Sequence, residues 1–364
     1  MRIVVKIGSS SLVTADGLPQ LEVIDALTTD IAAVVDAGHD VLIVSSGAIA
    51  TGLGLLQRAT RPTELPALQA ASAVGQGELF ATWSRAFDRH GVRAAQVLLT
   101  MHDAAQRATW ANARNTLEQL LEWQVVPIIN ENDTTATDEI TFGDNDALAA
   151  QVAVAVGADL LVLLTDTDGL YTDHPDAPGA ELVREVDDHS LLQRVNTATS
   201  GSHWGSGGMR SKVVAAEMAA SGGVVTHIAR ATAKRITQRL VAGESVGTRI
   251  AASRARNRKS AFRLWLQHGK RVRGTIVVDA GARAAIVERG ASLLPVGITE
   301  VQGAFEPGDA VAIAEMGAPA GASFARGIAQ YSSVELAQLG RDGASAQRGA
   351  GEAVHRDQLV LLDQ

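Results

Sequence analysis

In residues 2–7 the four apolar positions, Ile3, Val4, Val5 and Ile7, are all β-branched, and Gly8-Ser9-Ser10-Ser11 cuts the run off. Runs of the same kind recur at 41–44, 94–99, 125–129, 160–164 and 224–228. A short continuous apolar run closed by turn residues reads as a strand buried on both faces. Between the runs lie helical patterns. In 21–37, Leu21, Ile24, Leu27, Ile31 and Val34 return at intervals of three and four, and Gly38 supplies the stop. Further helices are expected at 64–89, 103–123, 144–156, 209–221 and 233–241, with another starting after Gly47. Strands alternating with helices predict an α/β fold, an αβα sandwich around a mostly parallel sheet that is complete by Ile228.

Near residue 250 the pattern changes. From Arg254 to Arg273 there are eight basic residues and no acidic one. Beyond it, short apolar pieces at 274–278, 284–287, 292–295, 311–313 and 324–330 are separated by glycine-containing turns, as in a small β-rich domain. The 364 residues therefore divide into a front domain at 1–252, a basic linker at 253–273, a β-rich domain at 274–352 and a tail at 353–364. With no cysteine in the chain, a disulfide scaffold, a thiolate metal site and a cysteine nucleophile are excluded. A net charge of −8 argues against a nucleic-acid binder. No apolar run reaches membrane-spanning length and the start is too short for a signal peptide, so a cytoplasmic protein is expected.

Lysine is scarce: only five of the 32 Lys and Arg residues are lysine. Two of them, Lys6 and Lys212, lie close to glycine, with no lysine between them. An arginine-rich chain that keeps lysine at two such places reads as needing a compact point charge there, with chance placement as the weaker alternative. Ligands of a parallel sheet bind beyond the carboxyl ends of its strands. Those ends carry Lys6-Ile7-Gly8-Ser9-Ser10, Ser45-Ser46-Gly47-Ala48, Asn130-Glu131-Asn132-Asp133 and Thr165-Asp166-Thr167-Asp168-Gly169. Gly8 and Gly47 let backbone N–H groups approach an anion. Gly205-Ser206-Gly207-Gly208-Met209-Arg210-Ser211-Lys212 is a glycine loop opening a helix, without Walker A spacing, and its bland reading is a linker. Phe142-Gly143-Asp144-Asn145-Asp146 precedes an alanine-rich helix, where Asp144 serves as N-cap and Asp146 suits the helix dipole. No dedicated metal cage is expected, and Mg²⁺ binds mainly through nucleotide phosphates.

Taken in order, these segments resemble the amino-acid kinase superfamily, and within it the branch acting on the side-chain carboxylate of glutamate. The rear segments, with Val278-Asp279, Gly290, Ser292 to Ile298 and Gly303-Ala304-Phe305, look like a PUA domain. The resemblance covers nearly the whole chain. It implies that Lys6 and Lys212 contact the transferring phosphoryl group and that Asp146 orients them. It implies further that Lys6, Gly8, Thr165, Asp166 and Ser206, Gly207, Gly208, Met209, Arg210, Ser211 and Lys212 hold ATP, and that Ser46, Gly47, Asp133 and Asn145 hold L-glutamate. Thr134 stands where a small residue is usual, and Arg210 where a small polar one is common. Also implied are Mg²⁺ as cofactor, proline as feedback inhibitor, a homodimer or tetramer, and hand-off of the product to glutamyl phosphate reductase.

The chemistry expected is in-line attack of a carboxylate on the γ-phosphorus of ATP. A carboxylate is already ionised at neutral pH, so no general base is required. An N-acetylglutamate kinase is the nearest alternative, but its substrate lacks the ammonium group that Asp133 would meet. A nucleoside-monophosphate kinase would need basic residues in 130–146, which has none. From another class comes an RNA-binding or RNA-modifying PUA protein, which the acidity and the kinase motifs oppose.

Overall fold

A computed structural model describes residues 1–58, 60–101, 103, 107–136, 144–187, 208–253, 263, 266–267, 272–319, 321–342 and 350–362. The chain forms two compact units, Met1–Ala261 and Phe262–Gln364.

In the first unit the elements run β1 (Arg2–Ile7), α1 (Ser9–Leu12), α2 (Leu21–Asp36), β2 (Asp40–Ser45), α3 (Ala48–Leu55), α4 (Leu65–Asp88), β3 (Arg93–Leu99), α5 (Arg107–Glu122), β4 (Val125–Glu131), α6 (Asp144–Ala155), β5 (Leu160–Thr165), β6 (Glu185–Val186), α7 (Met209–Ser221), β7 (Val225–Arg230), α8 (Ile236–Val241) and β8 (Thr248–Ile250). Among the described residues the sheet has eight strands, ordered β3-β4-β2-β1-β5-β7-β8-β6. It is parallel except where β8 runs antiparallel to β7. The sheet is thus not complete by Ile228. Residues 248–250 extend it, because the turn after α8 folds the chain back onto the edge of β7.

Side chains alternate across a strand, and this sorts the site. Ile3, Val5 and Ile7 of β1 join Val41 and Ile43 of β2, Leu160, Val162 and Leu164 of β5, and Ile24, Leu27 and Ile31 of α2 in one core with Trp83 and Phe87 of α4. Val4 and Lys6 have the other parity, and α6 packs against β1. That helix has Leu148, Ala149, Ala150, Val152 and Ala153 fully buried, as expected for a helix apolar on nearly every side. Lys6 therefore faces the start of α6, while Ser45 and Asn130, sharing parity with Ile43 and Ile128, face α4.

A close crossing joins α3 and α4. A Cβ on Gly52 would lie 1.7 Å from the Ala71 carbonyl oxygen, and one on Gly75 would lie 2.0 Å from that of Ala48. Only glycine at both places lets the two backbones meet.

The second unit has a five-stranded sheet, β10 (Ile298–Gly303), β9 (Val272–Val278), β11 (Ala310–Glu315), β12 (Ala325–Ala329) and β13 (Val354–Leu361), in that order. Helices α9 (Ala280–Arg289) and α10 (Ser333–Asp342) accompany it. Ile276, Val278, Ile286, Val311, Ile313, Phe324, Leu336 and Leu359 lie in its core.

Three expectations fail here. The piece at 284–287 is helical, because Asp279 Oδ1 accepts the N–H of Ala282 at 2.7 Å and Gly290 caps the other end at φ 60°. The piece at 292–295 is no strand: Leu293 makes an isolated bridge to Val354, and Pro295–Gly297 is a 3₁₀ turn. The segment at 353–364 is not a tail, since β13 pairs antiparallel with β12 and carries buried Val354, Leu359 and Val360. The basic stretch falls mostly outside the described residues, and its end is already strand from Val272.

Candidate active site

One strand end and two helix starts converge on one cluster. Lys6 leaves the end of β1 on the α6 side, where its Nζ lies 2.6 Å from Asp146 Oδ1. Asp146 sits in the first turn of α6, and its Oδ2 receives the Ser211 hydroxyl at 2.6 Å and Lys212 Nζ at 3.4 Å. The Ser211 hydroxyl oxygen also lies 2.8 Å from the Gly208 carbonyl oxygen, in the opening turn of α7, so its one hydrogen is shared between the two acceptors. All three charged groups are buried, with Asp146 at 0% exposure, Lys6 at 3% and Lys212 at 4%.

Burial is the main influence on the Lys6 ammonium. Together with Lys212 it outweighs the attraction of Asp146 and lowers the pKa to about 8. For Asp146, burial alone would raise the carboxyl, but Lys212, Lys6 and two hydrogen bonds overcome it and hold it at about 2. The cluster thus has two cationic groups and one anion, and the surplus positive charge suits an anionic ligand. The amino end of α7 points the same way, since its cap, Gly208, gives no side-chain hydrogen bond to the first turn.

Gly8 follows β1, and a Cβ there would lie 3.8 Å from Lys6 Nζ. Its N–H donates to the Leu164 carbonyl at 3.4 Å, which ties the loop to β5. Ser46 N donates to the Ile7 carbonyl at 3.2 Å, so the Ser46-Gly47 turn lies against the end of β1. Gly47 takes φ 107°, where a side chain would meet Val13. At the end of β5, Thr165 Oγ1 donates to Asp166 Oδ1 at 3.0 Å. Arg230 pairs in register with Thr165 and clamps this loop, donating to the Asp166 carbonyl at 2.5 Å and to Asp168 Oδ1 at 2.6 Å.

Asn145 and Asp133 are held by a separate set of partners. Asn145 Nδ2 donates to Asn130 Oδ1 at 3.0 Å, and Asn130 Nδ2 donates to Gln76 Oε1 at 2.8 Å. Asp133 Oδ2 accepts the Ser72 hydroxyl at 2.5 Å. Burial raises the Asp133 carboxyl above its ordinary value, while Ser72 and the Arg61 guanidinium oppose the rise.

Of the expected site residues, the structure brings Lys6, Asp146, Ser211, Lys212 and Gly208 into one cluster. Gly8, Ser46, Gly47, Thr165 and Asp166 lie at the ends of adjoining strands. Met209 and Arg210 occupy the first turn of α7, Arg210 exposed. Ser206 and Gly207, and the side chain of Asp144, fall outside the described residues. Sequence reasoning passed over Arg61, Ser72, Gln76 and Arg230. Strand parity could have found the partners of Asn130, because it directs that residue toward α4.

Two family models match the chain. The amino acid kinase family matches residues 1–230, and the PUA domain family matches residues 274–348. Glutamate 5-kinase of Frankia casuarinae is 46% identical over 99% of this chain and 96% of its own length. Glutamate 5-kinase of Streptomyces coelicolor shows the same figures. Glutamate 5-kinase of Ralstonia pickettii is 45% identical over 99% of this chain and 97% of its own length.

Proposed function

The chain belongs to the amino acid kinase family, and from that membership and its glutamate 5-kinase relatives we propose that it transfers the γ-phosphoryl group of ATP to the side-chain carboxylate of L-glutamate. It is a kinase, and its product is the acyl phosphate L-glutamyl 5-phosphate, which commits glutamate to proline synthesis.

The observation that carries the reading is the buried Lys6–Asp146–Lys212 cluster at the carboxyl edge of the sheet. A carboxylate oxygen attacks the γ-phosphorus in line, and the bond from phosphorus to the bridging oxygen breaks to release ADP. Both reactants are anions, so the work of the protein is alignment and charge neutralisation. Lys6 and Lys212 supply positive charge to the equatorial and bridging oxygens, while Asp146 holds both ammonium groups in place and favours the charged form of Lys6. Gly8 and the first-turn amides of α7, Gly208 to Lys212, approach the phosphates, and Thr165 and Asp166 border the nucleotide. Ser46, Gly47 and Asn145 receive the carboxylates of glutamate, and Asp133 meets its ammonium group.

Mg²⁺ would be held mainly by the phosphates of the nucleotide. No group of three or more His, Asp or Glu is arranged for a metal among the described residues, and a phosphate-borne ion needs none. When bound, it neutralises charge on the β- and γ-phosphates. The same reading includes proline competing at the amino-acid pocket, a homodimer or tetramer, and hand-off of the hydrolysable acyl phosphate to glutamyl phosphate reductase. It also includes a cytoplasmic setting: no described helix is long and apolar enough to cross a membrane.

The test is ATP-dependent acyl-phosphate formation, trapped with hydroxylamine, using L-glutamate, N-acetylglutamate and L-aspartate in parallel. Turnover with glutamate alone supports the reading, and turnover with N-acetylglutamate at an equal rate contradicts it.

A further inference from the structure

Helix α4 touches the proposed glutamate pocket from one side only, yet it does so three times. Gln69, Ser72 and Gln76 are spaced by three and four residues and so share one face. Gln69 Nε2 donates to the Ala136 carbonyl at 3.2 Å, Ser72 to Asp133 Oδ2 at 2.5 Å, and Gln76 Oε1 accepts from Asn130 Nδ2 at 2.8 Å. Polar residues on a helix more often meet solvent, but Ser72 is 3% exposed, its partner Asp133 is 8% exposed, and Asn130, the partner of Gln76, is 5% exposed.

The contacts form a chain that ends at substrate-facing groups. Gln76 fixes the amide orientation of Asn130, whose Oδ1 then accepts from Asn145 Nδ2 and from the Glu131 N–H at 2.9 Å. Asn145 Oδ1 accepts from the same N–H at 3.3 Å. These contacts hold the Asn145 amide in one orientation and use one of its two Nδ2 hydrogens, which leaves the other as a donor for a substrate oxygen. Ser72 supplies a hydrogen bond to a carboxylate whose burial disfavours the charge it must carry to meet an ammonium group. One helix therefore sets both the donor for a carboxylate and the acceptor for an amine.

The helix that follows the Ser46-Gly47 turn is tied to α4 as well. Gly75, beside Gln76, meets Ala48 and Gly52 of α3, the helix that the Ser46-Gly47 turn opens. We infer that Ser72 and Gln76 are positioning residues that set the affinity for the amino-acid substrate by holding Asp133 and the Asn130–Asn145 pair, without touching it themselves. The inference rests on the glutamate reading above.

The experiment uses the full chain and compares Ser72→Ala, Gln76→Ala and Gln76→Glu with wild type. Initial rates are read by hydroxylamine trapping with each substrate varied, and ligand-free melting temperatures are measured alongside. A hydrogen bond to a buried charged or tightly networked group predicts a rise of about tenfold in the KM for glutamate in both alanine variants, with kcat and the KM for ATP within about twofold. Gln76→Glu keeps an acceptor for Asn130 Nδ2 and is expected to stay within about threefold of wild type. An unchanged KM for glutamate with a lowered melting temperature would mean a merely structural role and overturn the inference. So would equal rises for both substrates, or Gln76→Glu as impaired as Gln76→Ala. If an alanine variant fails to fold, the other, with Gln76→Glu, decides on the same criteria. A wild-type protein that does not phosphorylate glutamate removes the functional reading and this inference with it; working wild type with normal glutamate binding in the variants removes this inference alone.

Discussion

Replacing Asp146 with asparagine leaves two buried ammonium groups without the carboxylate they share. At an effective dielectric constant of about 20, the gross attraction is about 6 kcal/mol at the 2.6 Å contact with Lys6 and about 5 kcal/mol at the 3.4 Å contact with Lys212. Desolvation offsets much of this, and removing one partner of a buried pair typically costs about 3–5 kcal/mol. The folded protein has an easier escape, which is to release a proton from Lys6. Its pKa is already about 8 with Asp146 holding it up, and the other influences, burial and Lys212, both push it down. In Asp146→Asn the Lys6 pKa therefore moves further in the acid direction. Because the folded value lies below the unfolded one, the unfolded chain binds more protons between the two, so stability rises with pH across that window. The same loss of charge weakens catalysis. kcat/KM for ATP reports the free enzyme, so in the wild type its Lys6-linked decline should begin near pH 8. In the variant the decline starts at lower pH. We expect a loss of about 10²–10³-fold near neutral pH. It should deepen from about pH 7 to about pH 9 until wild-type Lys6 is itself neutral. The assay is hydroxylamine trapping at saturating glutamate, with circular dichroism to confirm folding at each pH. A loss of less than about threefold, or one that does not change with pH, would refute the argument that Asp146 works by keeping Lys6 charged.

Lys212→Ala should lower kcat about 10²–10³-fold while leaving the KM for glutamate nearly unchanged, read from steady-state rates. Asp133→Asn should raise the KM for glutamate by at least about thirtyfold and that for ATP little, since a desolvated charge pair loses a partner worth about 2–5 kcal/mol. In the wild type, glutamate binding should weaken as pH falls through the Asp133 pKa, which burial places above the ordinary carboxylate value; calorimetric titration against pH measures it. Gly75→Ala puts a methyl group 2.0 Å from the Ala48 oxygen. Over-packing of this kind costs about 1–3 kcal/mol or more. Urea denaturation should show it, and the KM for glutamate should rise as the Ser46-Gly47 turn moves away from α4.

The central strands were legible because each is a short apolar run with glycine, serine or aspartate at its end, and the site was legible because those ends carry its groups. What stayed hidden depends on neighbours distant in sequence. Ser72 and Gln76 look like the wet side of α4 until Asn130 and Asp133 are placed beside them. Gly52 and Gly75 read as helix weaknesses, about 1 kcal/mol each against alanine, although each is the condition for a backbone crossing. The helix at 280–289 was missed although Asp279 and Gly290 bracket it with an N-cap and a left-handed stop. A four-residue apolar piece within it looked like a strand because periodicity over so short a window separates nothing. Strand β13 has a polar middle, His355 to Gln358, that masks its buried ends.

The place of β1 in the sheet bears on how the protein is made. It lies between β2 and β5, and its far side pairs Ile3 with Leu160. The β2 side can close early, through α2, but the β5 side waits for more than 150 further residues. At a synthesis rate of about 5–20 residues per second, that is roughly 8–30 s in which Ile3, Val4, Val5 and Ile7 present an unpaired apolar edge. Such an edge is a template for pairing with other chains. Non-local parallel pairing also makes the sheet slow to form once the chain is complete. The strand that places Lys6 in the cluster is therefore also a segment of the nascent chain that a chaperone would have reason to cover until β5 is made.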